Sequence, residues 1–339
     1  MTEVVTIALD VMGSDQGPGA MIDGARVAIA RGGVRVLACG PVGELTSIVN
    51  GSSGIEIVDA PSLIGYDDDP LVAVRTVKDS SVVTAARLVR EGAADATVSA
   101  GVTGAVLAAA LFELRRIPGV LRPALAQALP SPRGPVTVLD LGATPDCKPQ
   151  QLHQFAHMGA AFSHCVLGVG RPRVGLLSNG TEIGKGNRVV VEAYDLIASD
   201  EDVDFHGNIE GRDVPLGTVD VVVCDGFTGN VVLKVMEGTG LYVLSELRNA
   251  VQSSLRGKIG GLLLRPKLRE FRRSANPDSY GGSYFLGLQG VAVKAHGSAS
   301  SEGIANAITY AARGVREHVV EQVALHLGRS ASGESAAAD

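Results

Sequence analysis

The stretch Ala96-Thr97-Val98-Ser99-Ala100-Gly101-Val102-Thr103-Gly104 runs from a short β-branched segment through a Gly-x-Thr-Gly turn and straight into an apolar helical segment. The same order returns in Val221-Val222-Val223-Cys224-Asp225-Gly226-Phe227-Thr228-Gly229. Continuously apolar runs of this length suit strands buried on both faces, and a helix after each is the crossover that parallel strands need. Working outward, further runs of this kind lie at 4–9, 34–38, 55–58, 136–140 and 174–178, besides 96–99 and 219–224. Helical patterns separate them at 20–30, 80–91, 104–116, 149–167, 186–198 and 230–249. The expected fold is α/β, a mostly parallel sheet with helices on both faces.

At 339 residues and 45% hydrophobic content the chain can bury a large core. We expect one large domain over 1–327, with a helical hairpin at about 240–278 and an unordered small, polar tail at 328–339. The 43 glycines follow no repeat, which points to tight turns and close backbone approaches rather than a fibrous chain. A net charge of −6 argues against a general nucleic-acid binder. Cys39, Cys147, Cys165 and Cys224 lie far apart without CxxC spacing and no signal-peptide pattern opens the chain, so reduced thiols and a cytoplasmic location are expected. Apolar stretches fall short of the roughly 20 residues that span a bilayer. Between 253 and 275 the chain sets seven Lys and Arg residues, among them Arg256, Lys258, Arg265 and Lys267, against the single acid Glu270, around Ile259 and Leu262-Leu263-Leu264. Such a segment suits an anionic membrane, contacted through about 256–273, or an acidic protein; a solvated hairpin closing a dimer fits equally well.

The two Gly-x-Thr-Gly turns combine free amides at a helix start, glycines that admit a ligand and a hydroxyl donor, which together form an anion site; two ordinary βα turns are the plain alternative. Asp10 and Asp15, with Gly13 between them, stand at the carboxyl end of the first strand, where open sheets bind ligands. Capping the following helix is an alternative role for Asp15. The run Asp146-Cys147-Lys148 offers an acid, a thiol and an amine ahead of a helix. A Cys147 nucleophile with His153 or His157 as base is weighed against a buried structural thiol, which is preferred, and Lys148 reads better as an anion-binding cation. His153 and His157 have the i, i+4 spacing of a zinc site, but Gln154 replaces the glutamate of His-Glu-x-x-His, so no metal is expected. In Asn179-Gly180-Thr181-Glu182-Ile183-Gly184-Lys185-Gly186-Asn187, a lysine among glycines presents charge and backbone donors to a phosphoryl group or an oxyanion. Lys294 and His296 share one face of an extended segment that follows Tyr280-Gly281-Gly282. Neither Gly13 nor Gly101 starts a Gly-x-Gly-x-x-Gly motif, and no P-loop occurs, so no cofactor is expected.

Glycine loops, lysines and carboxylates without a nucleophile–base pair suit a reaction in which bound phosphate itself attacks. In sequence these blocks resemble the bacterial acyl-ACP:phosphate acyltransferases. The resemblance runs from Ile7-Ala8-Leu9-Asp10-Val11-Met12-Gly13 through Asp146-Cys147-Lys148-Pro149, Lys185-Gly186-Asn187, Gly207-Asn208-Ile209-Glu210-Gly211-Arg212-Asp213 and Val223-Cys224-Asp225-Gly226-Phe227 to Lys294-Ala295-His296-Gly297-Ser298. It implies a fold like the isocitrate dehydrogenases and phosphotransacetylases, with a protruding basic hairpin. It also implies a cytoplasmic, peripherally membrane-associated homodimer. The reaction it implies moves a long-chain acyl group from acyl carrier protein to inorganic phosphate, the acyl-phosphate passing to a membrane glycerol-phosphate acyltransferase. Catalysis is then expected from Lys185, Asp225, Lys294 and His296. Substrate binding is expected from Asp10, Gly13, Asp15, Gly101, Thr103, Gly104, Asp146, Lys148, Glu182, Gly186, Asn187, Gly226, Thr228, Asn230, Gly281 and Gly282. The chain departs from the family at Gln16-Gly17, where His-Ala is usual, at Val102, where the usual residue is asparagine, and at Asn179-Gly180-Thr181-Glu182. A phosphotransacetylase acting on acyl-CoA and a noncatalytic carrier-protein scaffold are the alternatives.

Overall fold

The computed structural model describes residues 3–274 and 281–336, with side chains up to 267 and from 281 to 328. Among the described residues eleven strands form one sheet: β1 Val5–Asp10, β2 Val34–Gly40, β3 Ile55–Asp59, β4 Ala96–Ser99, β5 Ala124–Leu129, β6 Val136–Leu139, β7 Val174–Leu177, β8 Phe205–Ile209, β9 Val221–Val223, β10 Ser283–Leu286 and β11 Val291–Lys294. Their spatial order is β3-β2-β1-β4-β11-β10-β5-β6-β9-β7-β8. The first five in that order are mutually parallel, as are the last four. Between them β10 runs antiparallel to both neighbours, and β5 runs antiparallel to β6. The two parallel halves therefore point in opposite directions, and the antiparallel strands join them.

The strands read from sequence are all present, within one to two residues at most ends. Of the strands not read from sequence, β5 is Ala-Leu-Ala-Gln-Ala-Leu, without a β-branched residue, and β8 is broken by Gly207 and the polar Asn208. The segment read as extended through His296 leaves the sheet at Lys294, where β4, its partner, also ends.

Helices cover both faces. On one lie α1 Gly17–Arg31, α2 Val42–Val49, α6 Pro149–Cys165, α7 Arg188–Ala198, α11 Ser301–Arg316 and α12 Val319–Ala336. On the other lie α3 Pro70–Thr76, α4 Ser81–Arg90, α5 Thr103–Glu113, the short α8 Asp213–Leu216 and the start of α9 Gly226–Gln252. β1 shows why both faces close: Val5, Ile7 and Leu9 enter the first core, while the intervening Ala8 meets Leu37, Cys39 and Ala85 in a small cluster beneath α4. Each large side chain so buried contributes about 1.5–3 kcal/mol.

α9 runs to Gln252 with Ser253 as its C-cap, and α10 Leu255–Ser274 folds back on it, with Gly257 and Gly261 facing Val251. Leu255, Ile259, Leu262, Leu263 and Leu264 are exposed. The side chains of Arg269, Glu270, Arg272 and Arg273, and the end of the expected hairpin at 275–278, lie outside the described residues, as does Tyr280. The tail expected to be unordered is helical to Ala336, the end of α12; 337–339 lie outside the described residues.

Candidate functional site

Where the two halves of the sheet meet, a cleft of about 330 Å³ opens. Asp15, Tyr66, Val102, Thr103, Gln127 and Gly142 line it, together with Asn230, Lys234, Glu237, Gly282, Ser283, Lys294 and His296. Both Gly-x-Thr-Gly turns border it, the first through Val102 and Thr103, the second through Asn230, the residue after its last glycine.

The floor is built at the carboxyl ends of β1 and β4. The buried Ser99 hydroxyl donates to Asp10 Oδ2 at 2.6 Å and accepts the Gly101 amide at 3.0 Å, so one serine couples the strand-end carboxylate to the turn. Burial pushes the Asp10 carboxyl above its usual range, while the Ser81 and Ser99 hydroxyls oppose that shift. A Cβ on Gly13 would sit 2.6 Å from Gly101 N and 2.7 Å from Asp10 Oδ2, so only glycine lets these loops touch. A Cβ on Gly104 would in turn meet Pro70 at 2.9 Å. Val102 occupies the N-cap of α5 and, being apolar, makes no side-chain cap bond, which leaves the first-turn amides unclaimed by a cap.

Asp15 does not cap α1, whose N-cap is Gln16 without a cap bond. Its amide bonds Gly297 O at 2.9 Å, and its Oδ1 accepts the Tyr66 hydroxyl at 3.0 Å, tying the first loop to the last. That hydrogen bond raises the Tyr66 phenol. Lys294 reaches Ala295 O at 2.5 Å and Ala100 O at 3.5 Å. Burial lowers its ammonium to about 8, with Asp15 and Asp10 opposing the shift and Lys234 reinforcing it. Gly282, at φ +97°, presses so closely on Lys294 that a Cβ would lie 2.4 Å from its carbonyl oxygen, and Gly281, at φ +78°, packs on Tyr310. His296 is exposed, its Nδ1 2.8 Å from the Ser298 hydroxyl.

A second group surrounds the buried Asp140 at the end of β6. Its Oδ1 accepts the amides of Leu125, Gly142 and Ala143, and its Oδ2 that of Thr144 at 2.6 Å. Burial drives this carboxyl up and the four amides pull against it. Gly226 lies against Asp140 Oδ2, and Asp225 caps α9, Oδ1 accepting Thr228 N and Oδ2 the Thr228 hydroxyl, each at 2.8 Å. Asp225 and Thr228, read as functional, thus hold the second turn in shape. Asn187 likewise caps α7 through Val190 N at 3.0 Å. Asp146, Lys148, Glu182 and Lys185 are exposed, and neither they nor Gly186 line the cleft.

Cys147 is unsuited to attack. Burial pushes its thiol up to about 12, and it donates to Thr144 O. The histidines considered as its base are engaged elsewhere: His153 Nε2 lies 2.6 Å and His157 Nε2 2.8 Å from Asp200 Oδ2. Sequence reasoning tested that pair only against the next residue, Gln154, and missed Asp200 on the following helix end. It also missed Lys234, Gln127, Ser283 and Tyr66, which no motif marks.

The pattern of the family described as fatty acid synthesis protein matches residues 5–322. A phosphate acyltransferase of Gloeobacter violaceus is 43% identical over 326 residues, 95% of this chain and 96% of that one. That of Clostridium acetobutylicum is 41% identical over 326 residues, 95% and 98% of the two chains. Among solved structures, a phosphotransacetylase from Streptococcus pyogenes shares the fold with a TM-score of 0.63 at 16% identity, covering 92% of this chain and 94% of its own. The EutD phosphotransacetylase from Staphylococcus aureus does so at 0.60 and 18%, with the same coverage.

Proposed function

The chain belongs to the phosphate acyltransferase family and is an acyltransferase, and from that premise we propose that it transfers a long-chain fatty acyl group from acyl carrier protein to inorganic phosphate, for phospholipid synthesis. One observation carries the site assignment: the uncapped start of α5 and Asn230, the residue of α9 after its Gly-x-Thr-Gly, meet at one cleft that Lys294 and Lys234 also line. Phosphate sits between the lysines and the α5 amides, where cations and helix-start donors act together. One phosphate oxygen attacks the thioester carbonyl. The C–O bond forms, the C–S bond breaks, and the electron pair leaves with the pantetheine sulfur, which takes a proton. The Thr103 hydroxyl and the turn amides hold the tetrahedral oxyanion, and His296 at the cleft mouth supplies the proton.

The exposed Leu262, Leu263 and Leu264, set among Arg256, Lys258, Arg265 and Lys267, support peripheral contact with anionic lipid, through which the product reaches a membrane glycerol-phosphate acyltransferase. The exposed Val235, Leu241, Tyr242, Val243 and Leu247 of α9 support pairing with a second copy. Among the described residues no helix is long and apolar enough to cross a membrane.

The test is to incubate the purified chain with long-chain acyl carrier protein and phosphate, trapping product with hydroxylamine, beside acyl-CoA and a no-phosphate control. Phosphate-dependent hydroxamate from the carrier protein supports the reading. Product from acyl-CoA alone would replace it with phosphotransacetylase chemistry, and intact carrier-protein binding without product would replace it with a scaffold.

A further inference from the structure

His153 and His157 lie one turn apart on the same face of α6, so their rings project side by side. The rings stand edge to face, 5.0 Å between centroids and 81° between planes. Both Nε2 atoms converge on a single carboxylate oxygen, Asp200 Oδ2, and the ligand atoms of the three residues all lie within 4.8 Å of one another. The other oxygen is held in place: Asp200 Oδ1 accepts the Asp202 amide at 3.0 Å, which fixes the carboxylate plane toward the imidazoles. Outer hydrogen bonds of this sort orient the carboxylates of metal sites. His157 is 1% exposed, whereas His153 and Asp200 keep 14% and 13%, so the cluster is walled on one side and reachable from the other. None of the three lines the cleft between the half-sheets.

We propose that His153 Nε2, His157 Nε2 and Asp200 Oδ2 form a binding site for a divalent transition metal of the zinc type, clamping α6 to the end of α7. Two imidazoles and one carboxylate are a donor set that zinc accepts, with water completing a tetrahedron. Metal–ligand bonds of about 2.0–2.1 Å place neighbouring donors about 3.3 Å apart. The nitrogen–oxygen edges, 2.6 and 2.8 Å, therefore open by about 0.5–0.7 Å. Side-chain rotation supplies that. Each ring binds the metal through the Nε2 lone pair, with its remaining proton on Nδ1. The site contributes to folding, because the unfolded chain does not hold the three donors together.

The experiment uses the full-length protein freed of metal, titrated with Zn²⁺ against a chromogenic chelator and, separately, with Co²⁺ followed by visible absorption. Wild type should take up one zinc per chain, give the intense visible bands of four-coordinate cobalt, and melt at higher temperature with zinc. Asp200→Asn and His153→Gln, both sparing the buried His157, should lose affinity by about 100-fold or more, at least as much as outer-sphere changes cost. They should also lose the cobalt bands and the thermal shift, while circular dichroism stays native. Uptake that is unchanged in both variants would mean adventitious binding elsewhere and overturns the proposal. So would a wild type that leaves zinc with the chelator.

Discussion

Gly229 lies so close to the backbone of Asp140 that a Cβ there would start 1.9 Å from the Asp140 carbonyl oxygen. The second turn can therefore sit over β6 only while this position has no side chain. Backbone cannot give way as a flexible side chain can, so Gly229→Ala should destabilise at the upper end of overpacking costs, about 3 kcal/mol, with chemical denaturation as the measure. Gly19→Ala, where a Cβ meets nothing within 4 Å, is the matched control and should be neutral or mildly stabilising.

The buried Lys294 ammonium, held near 8, carries a pH prediction. If its charge binds phosphate, KM for phosphate should rise as pH passes about 8, with kcat less affected. Lys294→Met should flatten that profile and raise KM by at least tenfold. Lys185→Ala, an exposed position outside the cleft, should leave the phosphate dependence near wild type. A steeper loss in the Lys185 variant would move the phosphate to the Asn179–Asn187 loop.

The same lysine gives a stability sign that can be worked out. Its folded pKa is depressed, so between about 8 and the ordinary 10.5 the unfolded chain binds more protons and stability rises with pH across that window. Lys294→Met should therefore melt higher than wild type at neutral pH, and the difference should shrink toward pH 10.5. Thermal unfolding at several pH values reads this directly.

Asp140 accepts four amides with its two oxygens. An asparagine keeps one acceptor and turns a donor toward amides that need none, so Asp140→Asn should cost about 2–4 kcal/mol and loosen the second turn. Hydrogen exchange of the Leu125 and Thr144 amides should speed up in the variant.

Replacing Leu262, Leu263 and Leu264 with serine should reduce sedimentation with anionic vesicles severalfold, while turnover in solution changes little. Equal recovery with vesicles would sink the membrane reading.

Much of this was legible in the chain because physical necessity writes itself locally. Val4 through Leu9 and Val221 through Val223 read as strands covered on both sides, and Gly-x-Thr-Gly ahead of an apolar run reads as the entry to a helix. The cleft was half legible: Asp15, Thr103, Asn230, Gly282, Lys294 and His296 were found and do line it. Lys234 was not, because a lysine on a helix surface carries no mark of what it faces. The capping roles of Asp225 and Asn187 could not be read from the chain, since an acid or amide beside glycines looks the same whether it binds a ligand, caps a helix or does both. Asp200 was invisible because its meaning depends on two residues more than forty positions earlier.

β10, which with β5 joins the two half-sheets, and its neighbour β11 come late in the sequence yet lie at the middle of the sheet. A ribosome must therefore release the chain through Lys294 before β4, already paired with β1, gains its second neighbour or Lys294 exists beside Ser99. Until then the first half-sheet has a bare apolar edge at β4, the kind of surface that chaperones hold. Activity should consequently appear late in synthesis and all at once, and a nascent chain arrested before residue 281 should be a client for folding assistance rather than a partial enzyme.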